Sequence, residues 1–207
     1  AKQSLYADEG SYFTTYNVTD GTGIAGHAAP VQADLSTKPV LHIFNGNTAA
    51  SGKSIIIDFV RLRMTAIGAS GTTLDVTTWV DQAGVTCKTS GGTVATSVNN
   101  RSDNPTTTGA IVSFGAVVAT AHASERRLDH QRIRSVRPIV EDQYCFQFGA
   151  SVAVPSVDAI TTAIIASIYV PLVPAVIVPG GNFKLALWRA TQANADSYEY
   201  TIGWTER

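Results

Sequence analysis

The amino-acid sequence predicts an all-β protein, built as an antiparallel sandwich or barrel from roughly ten strands. Three observations lead to this prediction. Short segments rich in β-branched and aromatic residues recur along the chain, clusters of Gly, Pro and Asn separate them, and residue patterns of helical period are scarce. The 207 residues suit a single sandwich, because all-β folds of this length often form one domain.

The predicted strands begin after residue 39. The clearest covers residues 54–65, where polar and apolar side chains alternate after a run of isoleucines. The strand predicted at residues 40–44 ends at a turn formed by Asn45, Gly46 and Asn47. The other predicted strands cover residues 72–80, 93–98, 110–118, 136–140, 143–148, 162–170, 176–178, 183–188 and 197–204.

Residues 1–39 are predicted to form an extended N-terminal arm, and residues 40–207 the sandwich domain. The first segment has aromatic anchors and glycines but no core pattern, which indicates a chain ordered by the surface on which it lies. A first strand followed by a long loop is the alternative. At most one short helix is expected, at residues 124–134, where Ser124 is a suitable cap but Leu128 and Ile133 are too sparse for an apolar stripe.

Charged residues make up only 15% of the chain, and Thr, Ser, Asn and Gly take their place. A surface of this kind can be buried against a partner without leaving many charges unpaired. The net charge of -1 gives no general attraction to nucleic acid or to an anionic membrane, so neither is expected as a partner. The uncharged stretch at residues 159–178 is predicted to be buried strands linked by Pro171 and Pro174, not a membrane span.

The sequence shows no motif for catalysis, metal binding or cofactor binding. Residues 21–26 match G-x-G-x-x-G, but Pro30 interrupts the helix that a dinucleotide site requires, so we interpret them as a glycine loop. Cys87 and Cys145 are too far apart in the sequence for a CxxC site and are interpreted as buried apolar residues, with a single disulfide between them as the alternative. The four histidines have no metal-ligand spacing, and no nucleophile elbow is present. We therefore predict neither an enzyme nor a cofactor or metal.

Two groups of side chains are predicted to contact partner proteins. The first is aromatic and lies in the arm. The second is a cluster of arginines after residue 125, and arginine is favoured at interfaces because its planar guanidinium pairs bidentately and its stem packs. A solvated segment is the alternative for the arginines. The predicted contact residues are Tyr6, Tyr12, Phe13, Tyr16, Arg126, Arg127, Arg132 and Arg134.

The C-terminal third contains the most characteristic sequence motifs. Residues 173–181 contain a Pro-Gly turn after a strand, residues 183–188 are Phe-Lys-Leu-Ala-Leu-Trp, and the chain ends on Ile-Gly-Trp-Thr-Glu-Arg. This C-terminal sequence resembles that of the jelly-roll structural proteins of tailed bacteriophages, in the class of capsid cement or decoration proteins. Gly52, Lys53 and Ser54, which lead into the long strand, are a weaker second similarity.

The resemblance implies a jelly-roll sandwich that assembles as a homo-oligomer, often a trimer, on the outside of an icosahedral shell. Its partners would be other copies of itself and the major capsid protein, and its location the capsid exterior after assembly in the bacterial host cytoplasm. The family has no catalytic residues. The alternative is a carbohydrate-binding or tail- or fibre-type sandwich module of a virion. In it Trp79, Trp188 or Trp204 would stack on sugars, against the competing interpretation that they pack in the core.

Overall fold

The computed structural model describes residues 2–17, 19–149 and 167–207, which form two β-sheets packed as a sandwich. A short helix, α1 (Lys2–Asp8), precedes them. The eight-stranded sheet contains β1 (Tyr12–Tyr16), β2 (Ile24–Ala25), β4 (Ile55–Ala66), β7 (Ser97–Asn99), β10 (Gln143–Phe148), β11 (Ser167–Leu172), β12 (Val176–Ile177) and β14 (Ser197–Glu206). The six-stranded sheet contains β3 (Leu41–Asn45), β5 (Leu74–Asp81), β6 (Lys88–Val94), β8 (Ala110–Ala119), β9 (Arg126–Arg134) and β13 (Asn182–Trp188). The predicted all-β sandwich is confirmed.

The strand order shows how the chain crosses between the layers. It is β11-β10-β4-β14-β1-β7 in the eight-stranded sheet, with β12 beside β4 and β2 beside β14, and β6-β8-β3-β13-β5-β9 in the other. The consecutive strands β3, β4 and β5 alternate between the sheets, as do β13 and β14, a crossing pattern found in jelly rolls. The described pairs are antiparallel except β10 with β11, whose connection runs through residues 150–166, outside the described residues. The first part of the strand predicted at residues 162–170 lies there too.

The hydrophobic core lies between the sheets, and β14 is its clearest contributor. Alternate residues of this strand are buried: Tyr198, Tyr200, Ile202 and Trp204. The ring of Tyr200 stacks on Phe114 of the six-stranded sheet, with ring centroids 4.3 Å apart. Since burial of one large apolar side chain stabilises the fold by about 1.5 to 3 kcal/mol, these contacts hold the two layers together.

Part of the segment predicted as an extended arm is a strand of the sandwich. β1 lies between β14 and β7 and is hydrogen-bonded to both. Its Tyr12 and Phe13 are buried, and the Phe13 ring stacks on Trp204 in the core. This segment therefore follows the alternative of a first strand and a long loop, with α1 ahead of the strand.

The prediction of a helix at residues 124–134 is wrong, because the segment forms β9. This strand pairs antiparallel with β5 along its whole length, with two register shifts. The sparse Leu128 and Ile133 cannot cover an apolar helix face, whereas the free edge of β5 supplies backbone partners to every second residue. The strand predicted at residues 136–140 is also wrong, since these residues form a bend and turn after β9.

Two buried ion pairs lie at one end of the sandwich. The fully buried Arg189 donates to both carboxylate oxygens of Asp196, each at 2.8 Å, and to the backbone carbonyl of Gly68 at 3.0 Å. Arg134 pairs with Asp142 at 3.0 Å, and both are buried. Desolvation of buried charges is costly, so such pairs persist only when hydrogen bonds satisfy the remaining polar atoms.

Replacement of Arg189 tests this network. We expect Arg189→Met to lower the free energy of unfolding by about 3 to 5 kcal/mol, because it leaves Asp196 buried without its cation. Urea unfolding measures the change. The control is Lys38→Met, which removes a partly exposed pair with Asp34 and should cost at most about 1 kcal/mol. Equal losses in the two variants would contradict the prediction.

Candidate functional site

The four aromatic residues predicted to contact a partner have different environments. Phe13 is buried in the core, whereas Tyr12 is buried on the outer side of β1, where its hydroxyl donates to Asp58 at 2.6 Å. Tyr6 is half-buried, with the guanidinium of Arg207 lying 3.8 Å above its ring. Tyr16 is 53% exposed at the end of β1. Of the four, Tyr16 offers the most ring surface to a binding partner.

The predicted arginine cluster lies on an edge strand. β9 is the last strand of the six-stranded sheet, and Arg126, Arg127 and Arg132 are exposed on it, whereas Arg134 is buried with Asp142. Charged side chains on an edge strand prevent it from pairing with the edge of another chain. The exposed arginines therefore protect this edge, and the buried Arg134 is structural.

Loops cover the central part of the outer face of the six-stranded sheet. Leu35 packs there on Trp79 and Ala186. The buried Lys184 of β13 donates to the carbonyl of Ser36 at 2.7 Å and pairs with Glu125. These contacts attach the loops before β3 and before β9 to the sheet.

A second set of contacts attaches the same loops. Asp81, at the end of β5, accepts hydrogen bonds from His122 and Ser124. His42 Nε2 lies 3.0 Å from the side-chain oxygen of Asn182, and no described atom is a partner of its Nδ1. Within the described residues, no three His, Cys, Asp or Glu side chains form a group able to hold a metal ion. This arrangement can hold loops in place, and we assign it that structural role.

Both cysteines are free thiols. Cys87 is buried, as predicted, and its burial raises the pKa of the thiol to about 11, so it is neutral at physiological pH. Cys145 is only partly buried, on the outer face of β10. The neutral state of Cys87 makes it a poor nucleophile.

Beside the covered area, the outer face of β6, β8 and β3 carries exposed apolar side chains. We call the exposed Val94 and Ile111, together with the partly exposed Phe44 and with Val85 of the loop before β6, the aliphatic patch. Val94 and Val85 are 60% and 59% exposed, the highest values for large apolar side chains in the described part of the chain. Ile111 pairs directly with Phe44, and Val94 pairs with the residue two positions from Ile111 on β8. The Val85 carbonyl accepts from Asn182, which is next to Phe44 across the sheet. Clustered exposed apolar groups mark protein-contact surfaces.

The outer face of the eight-stranded sheet has a shallow polar groove of about 450 Å³. Three residues of the groove floor are direct neighbours across adjacent strands. Arg61 of β4 pairs with Thr201 of β14, and Thr201 pairs with Tyr16 of β1. A loop after β1 forms one wall, where the Gly21 N–H donates to the Glu199 carboxylate. The lining residues are Tyr16, Asn17, Asp20, Gly21, Arg61, Arg63, Gln143, Glu199, Tyr200 and Thr201.

Neither the aliphatic patch nor the polar groove was predicted from the sequence. The alternation of Arg61 and Arg63 on the long strand indicated an exposed polar face, but nothing in the sequence placed Tyr16 or Asp20 beside it. Trp79 and Trp204 are buried, which agrees with the interpretation that they pack inside the fold and rules out the alternative in which they stack on sugars. Trp188 is partly buried against Leu35 and its neighbours.

Comparison with protein-family models, curated proteins and solved structures finds no match for this chain. Among the described residues, no helix has the length and hydrophobicity that crossing a membrane requires. The surfaces of the fold itself are therefore the basis on which a function is proposed.

Burial of His42 makes stability depend on pH. Burial, with Lys184 and Lys88 nearby, lowers the pKa of His42 to about 4, although its bond to Asn182 acts in the opposite direction. The unfolded chain binds a proton at this histidine near pH 6.5, and the folded chain binds it only near pH 4. The free energy of unfolding is therefore highest above pH 6.5 and decreases as the pH falls from 6.5 to about 4.

The variant His42→Gln isolates this effect, since glutamine retains an amide donor but does not titrate. Between pH 7 and pH 4.5 the wild-type chain should lose about 2 kcal/mol more unfolding free energy than the variant. Urea unfolding at the two pH values measures both. Parallel pH profiles for the two proteins would show that His42 is not held neutral.

Proposed function

We propose that this protein is a structural subunit of a bacteriophage shell, a cement or decoration protein that acts through protein–protein contact. The observation that carries the proposal is the aliphatic patch. Its exposed Val94 and Ile111 lie on neighbouring strands of an uncovered part of the sheet face, where water contact is costly and contact with protein removes that cost.

The edges of the sandwich favour contact through this face. β9 carries exposed arginines, and β6, the opposite edge of the same sheet, has register shifts around Gly91 and Gly92, both with positive φ. Bulges and charges on edge strands prevent an additional strand from pairing with them. A partner is therefore expected to pack on the face.

The patch suits a second copy of the chain. Its four side chains carry no charge, so an identical patch opposite it is complementary, and the nearby ammonium of Lys88 donates to the Ser113 hydroxyl at 3.0 Å. The surrounding strand β6 is rich in Thr, Ser and Gly, which can complete an interface of about 800 Å² per partner at little desolvation cost. The resemblance of the C-terminal third to cement proteins supports a shell protein as the further partner.

Charged substitutions in the patch test the contact. The wild-type chain should be a homo-oligomer at micromolar concentration in size-exclusion chromatography with light scattering. Val94→Glu and Ile111→Glu should each weaken association at least about 10-fold, because association would remove a carboxylate from water and replace an apolar contact. The matched control Val136→Glu changes an exposed valine beyond β9 and should associate normally. A monomeric wild type, or patch variants that associate like the control, would contradict the contact.

The virion location has a separate test. Particles should be purified on a density gradient from infected host cells and analysed by mass spectrometry. They should contain peptides of this chain at a copy number per particle similar to that of the shell proteins. Detection only in the soluble fraction of the lysate would argue against a shell subunit, whatever its oligomeric state.

A further inference from the structure

We propose that the groove on the eight-stranded sheet binds an acidic sugar, with Arg61 holding the carboxylate and Tyr16 lying against the ring. This binding site lies on the face opposite the aliphatic patch, and it would add ligand recognition to a contact protein. It does not require the proposed shell function, since it depends on the groove alone.

Arg61 is the available cation in the groove. Its Nη2 donates to the Thr201 hydroxyl at 3.2 Å, and no carboxylate among the described residues forms an ion pair with it. Its neighbour Arg63 is held by Glu199 at 2.7 Å and Glu141 at 3.3 Å. The exposed guanidinium of Arg61 can therefore receive a carboxylate in a bidentate arrangement.

Tyr16 provides an apolar surface at a suitable spacing. Tyr16 and Arg61 lie in one cross-strand row with Thr201 between them, so their backbones are about 10 Å apart, two strand spacings. A pyranose ring with its carboxylate fits between the two side chains. Tyrosine suits this position, because its flat ring packs on the apolar C–H face of a sugar while its hydroxyl stays in water.

The remaining free groups suit sugar hydroxyls. Asp20 and Gln143 line the groove, and within the described residues neither side chain forms a hydrogen bond. A carboxylate accepts from hydroxyl groups, and an amide both donates and accepts. The groove volume of about 450 Å³ is in the range of small-ligand sites and has room for two or three sugar units.

The wall of the groove is held in place before any ligand binds. Asn17 donates to the Thr22 carbonyl at 2.7 Å and accepts from the Tyr200 N–H at 3.1 Å. The Gly21 N–H is bound to Glu199, which Arg63 also holds. Because these bonds already order the loop, a ligand loses little free energy in arranging it.

The charge balance excludes polyanions as the preferred ligand. The groove contains two cations, Arg61 and Arg63, and two anions, Asp20 and Glu199, so its formal charge is zero. A phosphate dianion or a nucleic acid would meet Asp20 with only one free cation to bind it. A ligand with a single carboxylate and several hydroxyl groups can bind its carboxylate to Arg61 and donate its hydroxyl groups to Asp20.

Two probes that each carry a single carboxylate, galacturonate and 3′-sialyllactose, test the proposal by NMR titration of the full chain. At least one should bind with chemical-shift changes at groove residues, and its methyl ester, which has no charge on the carboxyl group, should bind at least about 10-fold more weakly. Arg61→Gln should abolish this preference for the acid, and Tyr16→Ala should weaken acid and ester alike.

The matched control is Arg127→Gln, which removes another exposed arginine, on β9, and should bind like the wild type. Failure of both probes at 20 mM, or an undiminished preference for the acid in Arg61→Gln, would overturn the proposal. Equal binding of inorganic phosphate would instead identify a general anion site and would also overturn it. These outcomes are independent of oligomeric state, so they separate this inference from the shell function.

Discussion

The two-residue alternation of β14 is the constraint on which the rest of the structure depends. β14 lies at the centre of the eight-stranded sheet and pairs with β4 over ten residues. Its large aromatic residues must all face the core, and a shift of one residue in pairing would turn them to solvent. Once Tyr200 and Trp204 point inward, Glu199 and Thr201 must point outward. The floor of the groove is thus the reverse side of the core.

The placement of charges explains why the surface is so neutral. The chain has few ionic groups, and the fold uses several of them internally, in the pairs Arg189–Asp196, Arg134–Asp142 and Lys184–Glu125. Others protect the edge strand β9. Because buried pairs must be satisfied and edges must be protected, few charges are left for the faces. A free cation such as Arg61 is distinctive against this background.

The two outer faces differ in ways that suit different partners. The six-stranded sheet combines a loop-covered polar cluster with the aliphatic patch, which suits permanent contact with protein. The eight-stranded sheet has a polar groove whose wall is already ordered, which suits a small ligand. A subunit attached through the first face presents the second to its surroundings. The two proposed functions therefore use opposite faces of the fold.

The sequence by itself determined the fold class and the neutral character of the surface. Alternation, β-branched residues and turn residues are local signals, so most strands after residue 39 were predicted correctly. Tertiary structure alone decided which side chains meet. Residues 124–134 became a strand because β5 offers an edge, and Phe13 entered the core because β14 and β7 enclose it. Arg134 and Arg126 have the same chemistry, yet one is buried and the other exposed. The groove joins residues far apart in the chain, and such contacts depend on strand pairing, which no local pattern records.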